Sequence, residues 1–185
     1  HSGKNLSKGS NTIFKMTDKI TLERIELLHP SLRNEVKEIY SEICEALTGS
    51  AICRFSYTLR TFAEQSALYA QGRTVSGAKV TNAKGGQSAH NYGFAIDIVL
   101  LKDTDGNGTF ESASWETNVD FDGDGMADWI EVVKIFKLYG WEWGGDWKFI
   151  DKPHFQKLPF SIAECLKRYN AGQVITGTNY IKLNG

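Results

Sequence analysis

The chain has 185 residues, of which 41% are hydrophobic, 23% charged and 12% aromatic. These proportions are typical of a folded globular protein and exclude a disordered or collagen-like chain, and the length suits a single domain. Because 21 Lys and Arg residues nearly balance 22 Asp and Glu residues, the formal net charge is −1. A nucleic-acid-binding domain is normally clearly basic, so the composition argues against a nucleic-acid partner.

The sequence offers no membrane anchor, secretory signal or disulfide framework. No apolar run approaches the ~20 residues of a membrane span, and the first residues do not resemble a signal peptide. The opening His1-Ser2-Gly3 is compatible with a tag remnant, so a native leader is not visible. Three cysteines without a C-x-x-C pair predict neither a set of disulfides nor a cysteine zinc knuckle, and they leave the cellular compartment open.

Hydrophobic spacing predicts a helix followed by a strand in the first third of the chain. Apolar residues recur at helical spacing over 32–47, with Ser31 as the predicted N-cap and Gly49 as the stop. Residues 51–60 alternate between an apolar and a mostly polar face, which predicts a strand with Arg60 at its end.

A capping box, a glycine-rich loop and a second strand come next. Thr61 and Glu64 predict the start of a short helix. The glycine-rich loop over 72–93 then leads into a strand over 94–101, which is apolar except for Asp97.

The last third predicts a helix, aromatic strands around a Gly-Gly turn, and a final helix. These elements cover about 129–140, 141–156 and 161–169, and Ser161 and Glu164 are the predicted cap of the final helix. The predicted fold class is therefore α+β, a small antiparallel sheet with helices packed against it. We expect residues 1–20 to be a flexible lead-in, 21–170 to form one domain, and 171–185 to be a tail.

Asp97, His90 and His154 are the candidate metal ligands. A carboxylate within an apolar strand is costly unless it is paired or bound to a metal, and His90 lies seven residues upstream. Two imidazoles and one carboxylate would leave a fourth zinc position for water, as catalytic zinc sites require. The residues alone leave two alternatives open: hydrogen-bonded core histidines, and an ion pair between Asp97 and Arg60.

Two sequence runs resemble a known peptidase family. SAHNYGFAID (88–97) resembles the S-x-H-x-x-G-x-A-x-D motif of zinc peptidases related to D-Ala-D-Ala carboxypeptidases and dipeptidases. WGGDWKFIDKPHF (143–155) resembles the L-alanyl-D-glutamate peptidase branch, which includes phage endolysins and bacterial wall hydrolases. The similarity spans about residues 22–160. It implies that zinc is bound by His90, Asp97 and His154.

The same resemblance implies roles for four further residues. Asp151 matches the acidic general-base position, where many relatives carry Glu. Arg60 matches the arginine that stabilises the charge of the tetrahedral intermediate, although Thr-Leu precedes it here where relatives often have Gly-Tyr. Gln65 and Ser88 fall on motif positions, and we expect them to bind substrate, although Ser88 equally suits the orientation of a metal ligand.

An acidic segment lies between the predicted zinc ligands. From Asp103 to Glu131 it holds nine acidic residues and no Lys or Arg, which leaves 13 of the 22 acidic and all 21 basic residues elsewhere. Its second half follows the ligand order of an EF-hand loop, with Gly at position 6 and a backbone carbonyl at position 7. The predicted calcium ligands are Asp120, Asp122, Asp124, Met126, Asp128 and Glu131. The first half begins similarly but reaches Ser114 at position 12, so we favour an Asx-rich turn there over a second calcium site.

The resemblance implies a zinc endopeptidase that cuts the L-Ala–D-Glu bond of peptidoglycan stem peptides, stabilised or regulated by calcium. One alternative is a D-Ala-D-Ala carboxypeptidase, and an alternative of another class is a non-catalytic cell-wall-binding module. We expect a monomer that acts on the cell wall, either as a secreted or periplasmic enzyme or as a phage endolysin released at lysis.

Overall fold

The computed structural model describes residues 17–47, 51–110 and 112–185. The helices are α1 (Lys19–Ile25), α2 (Arg33–Ala46), α3 (Phe62–Ala70), α4 (Asp128–Leu138) and α5 (Ile162–Asn170). The strands are β1 (Ala51–Tyr57), β2 (Ala95–Lys102), β3 (Ser112–Ser114), β4 (Glu142–Trp143) and β5 (His154–Gln156). Short 3-10 helices cover Pro30–Leu32, Ala89–Tyr92 and Gly144–Asp146.

The predicted α+β class with a small antiparallel sheet is confirmed. The strand order is β1-β2-β5-β4, and β3 also pairs with β2. All pairings are antiparallel, with β5 against the first half of β2 and β3 against its second half. Helix α1 packs on β1, while α2 packs on α4 and on β1. The helices thus cover the apolar face of a sheet in which β2 is the central strand.

One hydrophobic core joins the sheet to the helices. The ring of Phe136 on α4 stacks on Phe155 of β5, with centroids 4.2 Å apart and an interplanar angle of 20°. Ile181 is fully buried in the same core, and the Nε2–H of His29 donates to its carbonyl oxygen at 2.8 Å. Residues beyond 170 therefore pack against the domain, and His29 has a structural role.

Two local predictions are confirmed and two are wrong. Thr61 and Glu64 form the capping box of α3, and Ser161 accepts the Glu164 N–H at the start of α5. Ser31 is not the N-cap of α2, because it lies within a 3-10 turn that precedes the helix. The backbone N–H of Ser31 is itself capped by the imidazole of His29.

Strand β1 ends before the predicted position. Its register with β2 shifts between Phe55 and Tyr57, and the strand ends at Tyr57. Arg60 therefore lies in the segment that leads into α3, not at the strand end. The predicted stop at Gly49 lies outside the described residues.

The lead-in is described only from Thr17 onward. Asp18 caps α1 and accepts two hydrogen bonds from the Arg54 guanidinium, at 3.0 and 2.9 Å. The three cysteines, Cys44, Cys53 and Cys165, are buried free thiols. In the described part of the chain, every helix is too short or too polar to cross a bilayer.

Candidate metal centre and active-site pocket

Strand pairing brings together the three predicted zinc ligands. In the register of β2 against β5, Asp97 lies directly opposite His154, and the His154 Nδ1 is 3.0 Å from the Asp97 Oδ1. His90 comes from the 3-10 helix that precedes β2, and its Nε2 is 3.1 Å from the same oxygen. One ligand atom from each of the three residues lies within 4.8 Å of the others, which is a spacing that one metal ion can bridge.

The turn before β2 fixes the position of His90. The Ser88 hydroxyl accepts the backbone N–H of His90 at 3.3 Å and caps the 3-10 helix. Gly93 ends this helix at a φ of +79°, in the left-handed region that favours glycine. A Cβ at Gly93 would also collide with the backbone nitrogen of His29. The Ser-x-His-x-x-Gly pattern is thus the pattern of this turn.

Hydrogen bonds on the far side of each imidazole determine its tautomer. The Nδ1–H of His90 donates to the carbonyl oxygen of Thr58 at 2.7 Å, and the Nε2–H of His154 donates to the Gln156 Oε1 at 2.8 Å. Each neutral ring then directs its lone pair at the Asp97 carboxylate, which has no hydrogen to donate. Three lone pairs therefore point at one another. Only a cation, either a proton or a metal ion, can lie between them and bind all three.

The electrostatics of the cluster agree with this geometry. Burial alone would raise the pKa of Asp97, but hydrogen bonds from His154 and His90, which form when a proton lies between ring nitrogen and carboxylate, hold it well below its usual range. Burial would lower the pKa of His154, but its hydrogen bond with Asp97 outweighs burial and raises it. Both shifts indicate a site that attracts positive charge. Two imidazole nitrogens and one carboxylate oxygen are ligands that Zn²⁺ accepts, with one position left for water.

The cluster lies in a pocket of about 310 Å³ that also contains Asp151, Arg60 and Ser88. The Gly-Gly turn after β4 positions Asp151, whose N–H donates to the Gly144 carbonyl oxygen at 2.9 Å. A Cβ at Gly144 would collide with the carbonyl oxygen of Asp151, so this close approach requires glycine. Asp151 is exposed at the pocket rim, yet the surrounding protein excludes enough water to raise the pKa of its carboxyl.

Arg60 faces the pocket and does not pair with Asp97. Its guanidinium lies over the ring of Tyr57, 4.8 Å from the centroid, and its Nη1–H donates to the Gln65 Oε1 at 3.1 Å. Its Nε is buried and has no hydrogen-bond partner among the described residues. The alternative of an Asp97–Arg60 ion pair is therefore not observed, and Arg60 retains an unused donor.

Gln65 lies behind Arg60. Its side chain is fully buried, and its amide nitrogen donates to the Ala83 carbonyl oxygen at 2.8 Å. In the structure its side chain contacts Arg60, and the substrate-binding role stays a prediction. Ser88, by contrast, lines the pocket as well as capping the turn that carries His90.

Several residues of the site carry no sequence signal strong enough to identify them. Tyr57 and Thr81 line the pocket, and Gln156 contacts His154. The pattern His-x-Gln on a strand puts both side chains on one face, which is the one signal that points to Gln156. A groove of about 690 Å³ adjoins the pocket through Thr81 and Asp151. Trp147 and the exposed Phe149 also line this groove, the latter 85% accessible.

Residues 120–126 of the acidic segment form a compact turn ahead of α4. Asp120 accepts the N–H groups of Gly123 and Gly125 at 2.9 and 2.8 Å, and Asp124 accepts that of Met126 at 2.9 Å. The five predicted carboxylates form two overlapping groups that share Asp122, each with its oxygens within 4.8 Å. These groups are Asp120, Asp122 and Asp128, and Asp122, Asp124 and Glu131.

Two carboxylate oxygens of this turn are buried without a partner. The Asp128 Oδ2 and the Glu131 Oε2 have no hydrogen-bond partner within the described ranges. Burial, followed by neighbouring carboxylates, raises the pKa of Asp128 to about 6. Burial, a hydrogen bond with Asp124 and nearby carboxylates raise the pKa of Glu131 to about 8. The turn therefore brings five carboxylates so close together that two of them retain their protons to a higher pH than usual.

The upstream half of the segment repeats the same turn. Asp103 accepts the N–H groups of Gly106 and Gly108 at 2.9 and 2.8 Å, as Asp120 does in the second half. Ser114, at position 12, is a buried residue of β3. The structure contains an Asx-rich turn here, and the choice between such a turn and a second calcium site stays a prediction.

Fold and site together define an α+β domain with a His-Asp-His candidate metal centre. Comparison with known proteins adds two sequence similarities. A family described as D-alanyl-D-alanine carboxypeptidase matches residues 81–157, which include all three candidate ligands and Asp151. The chain is 52% identical over 101 residues to the peptidoglycan L-alanyl-D-glutamate endopeptidase CwlK of Bacillus subtilis (strain 168). The resemblance inferred from the sequence, to the L-alanyl-D-glutamate peptidase branch of these peptidases, is thereby confirmed.

That alignment covers 54% of this chain and 57% of CwlK, so the chain spans little more than half the length of this curated relative. Among solved structures, the chain is similar to the L-Ala D-Glu endopeptidase ChiX of Serratia marcescens. The match has a TM-score of 0.49 and 24% identity, and it covers 77% of this chain and 89% of that one.

Proposed function

We propose that this chain is a zinc-dependent peptidoglycan endopeptidase that hydrolyses the L-Ala–D-Glu bond of stem peptides. The observation that carries the proposal is the convergence of three lone pairs, from His90, Asp97 and His154, in a pocket that also contains Asp151 and Arg60. The name of the relative CwlK supplies the substrate class.

The metal would be held by His90 Nε2, His154 Nδ1 and an Asp97 oxygen. When bound, zinc would lower the pKa of water toward neutrality and polarise the scissile carbonyl. The protein contributes the orientation of both imidazoles, through the Thr58 carbonyl and the Gln156 amide, and a buried environment that strengthens charge interactions.

Asp151 is the proposed general base. Peptide hydrolysis requires a group that accepts a proton from the attacking water and returns it to the leaving amine. Asp151 lies in the same pocket as the three ligands, and its raised pKa moves the carboxyl closer to the neutral range in which such a base is effective. Its position is held by the contact between its backbone and Gly144.

Arg60 is the proposed donor to the oxygen that becomes negatively charged. Gln65 holds one end of the guanidinium from behind, and the ring of Tyr57 lies against it. Arg60 lines the pocket, and the guanidinium N–H groups that neither Gln65 nor burial occupies would serve the tetrahedral intermediate. Gln65 thus acts on substrate through Arg60.

Calcium is the proposed second cation. The two overlapping carboxylate groups and the unpartnered oxygens of Asp128 and Glu131 support a site for a hard cation in the turn before α4. Bound calcium would stabilise the start of α4, and Phe136 of that helix stacks on Phe155, the residue after His154. Calcium would therefore support one wall of the zinc site.

The bond specificity is tested by digestion of purified muropeptides with zinc-loaded protein, followed by identification of the new amino terminus. The proposal expects an amino-terminal D-Glu. Release of terminal D-Ala would instead identify a D-Ala-D-Ala carboxypeptidase. Binding to cell walls without any cleavage would identify a wall-binding module. We further propose that the protein acts on the cell wall as a monomer.

A further inference from the structure

Gln156 and Glu142 form a polar chain that leads from His154 to the protein surface. The His154 Nε2 is 2.8 Å from the Gln156 Oε1, and the Gln156 Nε2 is 3.0 Å from the Glu142 Oε2. The register of β4 against β5 puts Glu142 directly opposite Gln156. The contact between these two side chains therefore follows from the sheet pairing.

The chemistry of Glu142 gives the chain a direction. A carboxylate only accepts hydrogen bonds, so the amide nitrogen of Gln156 must face Glu142 and the amide oxygen must face His154. The Nε2 of His154 then has to donate, which leaves the lone pair on Nδ1 directed at Asp97. A flipped amide would present N–H to Nε2 and move the ring proton to Nδ1, the atom that must bind the metal.

We propose that Gln156 is a positioning residue for the metal, and that Glu142 acts through it by holding His154 in the Nε2–H tautomer. This inference rests on the zinc site of the proposed function. The tautomer of His90 is determined by a main-chain carbonyl, that of Thr58, which no side-chain substitution removes. The tautomer of His154 is determined by side chains alone. Substitutions at residues that do not bind the metal can therefore change the tautomer of this ligand.

The experiment measures zinc affinity by competition with a chromophoric chelator, and the protonated nitrogen of His154 by long-range ¹H–¹⁵N NMR of the zinc-loaded protein. Gln156→Met removes the acceptor, whereas Gln156→Glu keeps one. Glu142→Lys supplies a donor that should flip the amide. Glu142→Gln removes the charge but keeps an acceptor, and Glu23→Lys on α1 is a control for the charge change.

Gln156→Met and Glu142→Lys should weaken zinc binding by about 10–100-fold, which is the usual effect of losing a hydrogen bond to a metal-bound histidine. The zinc affinity should stay within about threefold of wild type in the other three variants, Gln156→Glu, Glu142→Gln and Glu23→Lys. Combining Glu142→Lys with Gln156→Glu should restore affinity, because the carboxylate accepts from both neighbours. NMR should show Nε2–H for His154 in wild type and in the restored double variant.

Wild-type zinc affinity in both Gln156→Met and Glu142→Lys would overturn the inference. The inference would also be overturned if Glu142→Lys lowered zinc affinity equally with and without Gln156→Glu, because repulsion between the lysine and zinc would then be the cause. If Gln156→Met fails to fold, Glu142→Lys at its exposed position still decides the question. His154→Ala separates the two proposals: if it leaves zinc affinity unchanged, the zinc site itself is wrong.

Discussion

Calcium should raise the thermal stability of the zinc-loaded protein, and Glu131→Gln should remove much of that gain. Within the described ranges, the Asp128 Oδ2 and the Glu131 Oε2 are buried without hydrogen-bond partners, beside three further carboxylates of the turn. A cation that binds this turn only in the folded state stabilises the protein by about 2.7 kcal/mol at a hundredfold excess over its Kd. For a protein of this size, 1 kcal/mol corresponds to about 2–4 °C in Tm, so the expected increase is about 5–11 °C.

Glu131 should matter most among the ligands, because position 12 of such a loop normally supplies two oxygens. The matched control is Glu116→Gln, which removes the same charge from an exposed residue of the acidic segment outside both carboxylate groups. The assay is a calcium titration of Tm with zinc saturated, repeated with magnesium, which should stabilise less because it fits a large oxygen cage poorly. A Tm that does not respond to calcium, or an equal loss in both variants, would refute the reasoning.

Three further predictions concern the catalytic residues and pH. Asp151→Asn should retain zinc but lower kcat by about 10²–10⁴-fold, because an amide neither accepts nor returns the proton. Metal analysis and muropeptide kinetics test this prediction, and near-wild-type turnover would exclude Asp151 as the base. Arg60→Lys should lower the rate without loss of zinc, since lysine keeps the charge but not the planar set of donors; unchanged kinetics in a folded variant would make Arg60 purely structural. In calcium-depleted buffer at matched zinc occupancy, the stability that Glu131 contributes should fall as pH rises from about 4.5 to 8, because folded Glu131 retains a proton that the unfolded chain has lost; in urea, the unfolding free energy of wild type should fall relative to that of Glu131→Gln.

The sequence predicts those parts of the fold that local chemistry determines. The capping box of Thr61 and Glu64 involves atoms three residues apart, so its signal is contained in the pattern itself. Ser31 satisfies the same kind of pattern, but Pro30 starts a 3-10 turn there and the imidazole of His29 takes the capping role. The sequence of β1 alone does not show where the strand ends, because a register shift against β2 is a property of the pair of strands.

The candidate site depends on contacts across long separations in sequence. Asp97 and His154 are 57 residues apart, and only the register of β2 against β5 puts them opposite each other. Spacing alone leaves their pairing open, and it is the family resemblance that implies a shared zinc site. The burial of Gln65 behind Arg60 and the orientation of Gln156 by Glu142 depend on tertiary packing, which a motif does not encode.

The most direct test of the zinc site is the metal stoichiometry of the purified protein together with its activity after metal removal. The proposal predicts one zinc per chain at the site of His90, Asp97 and His154. Muropeptide cleavage should be lost on chelation and restored by one equivalent of zinc. His154→Ala should retain neither the site nor the activity. Full cleavage by the metal-free protein, or zinc bound equally by wild type and His154→Ala, would contradict the proposal.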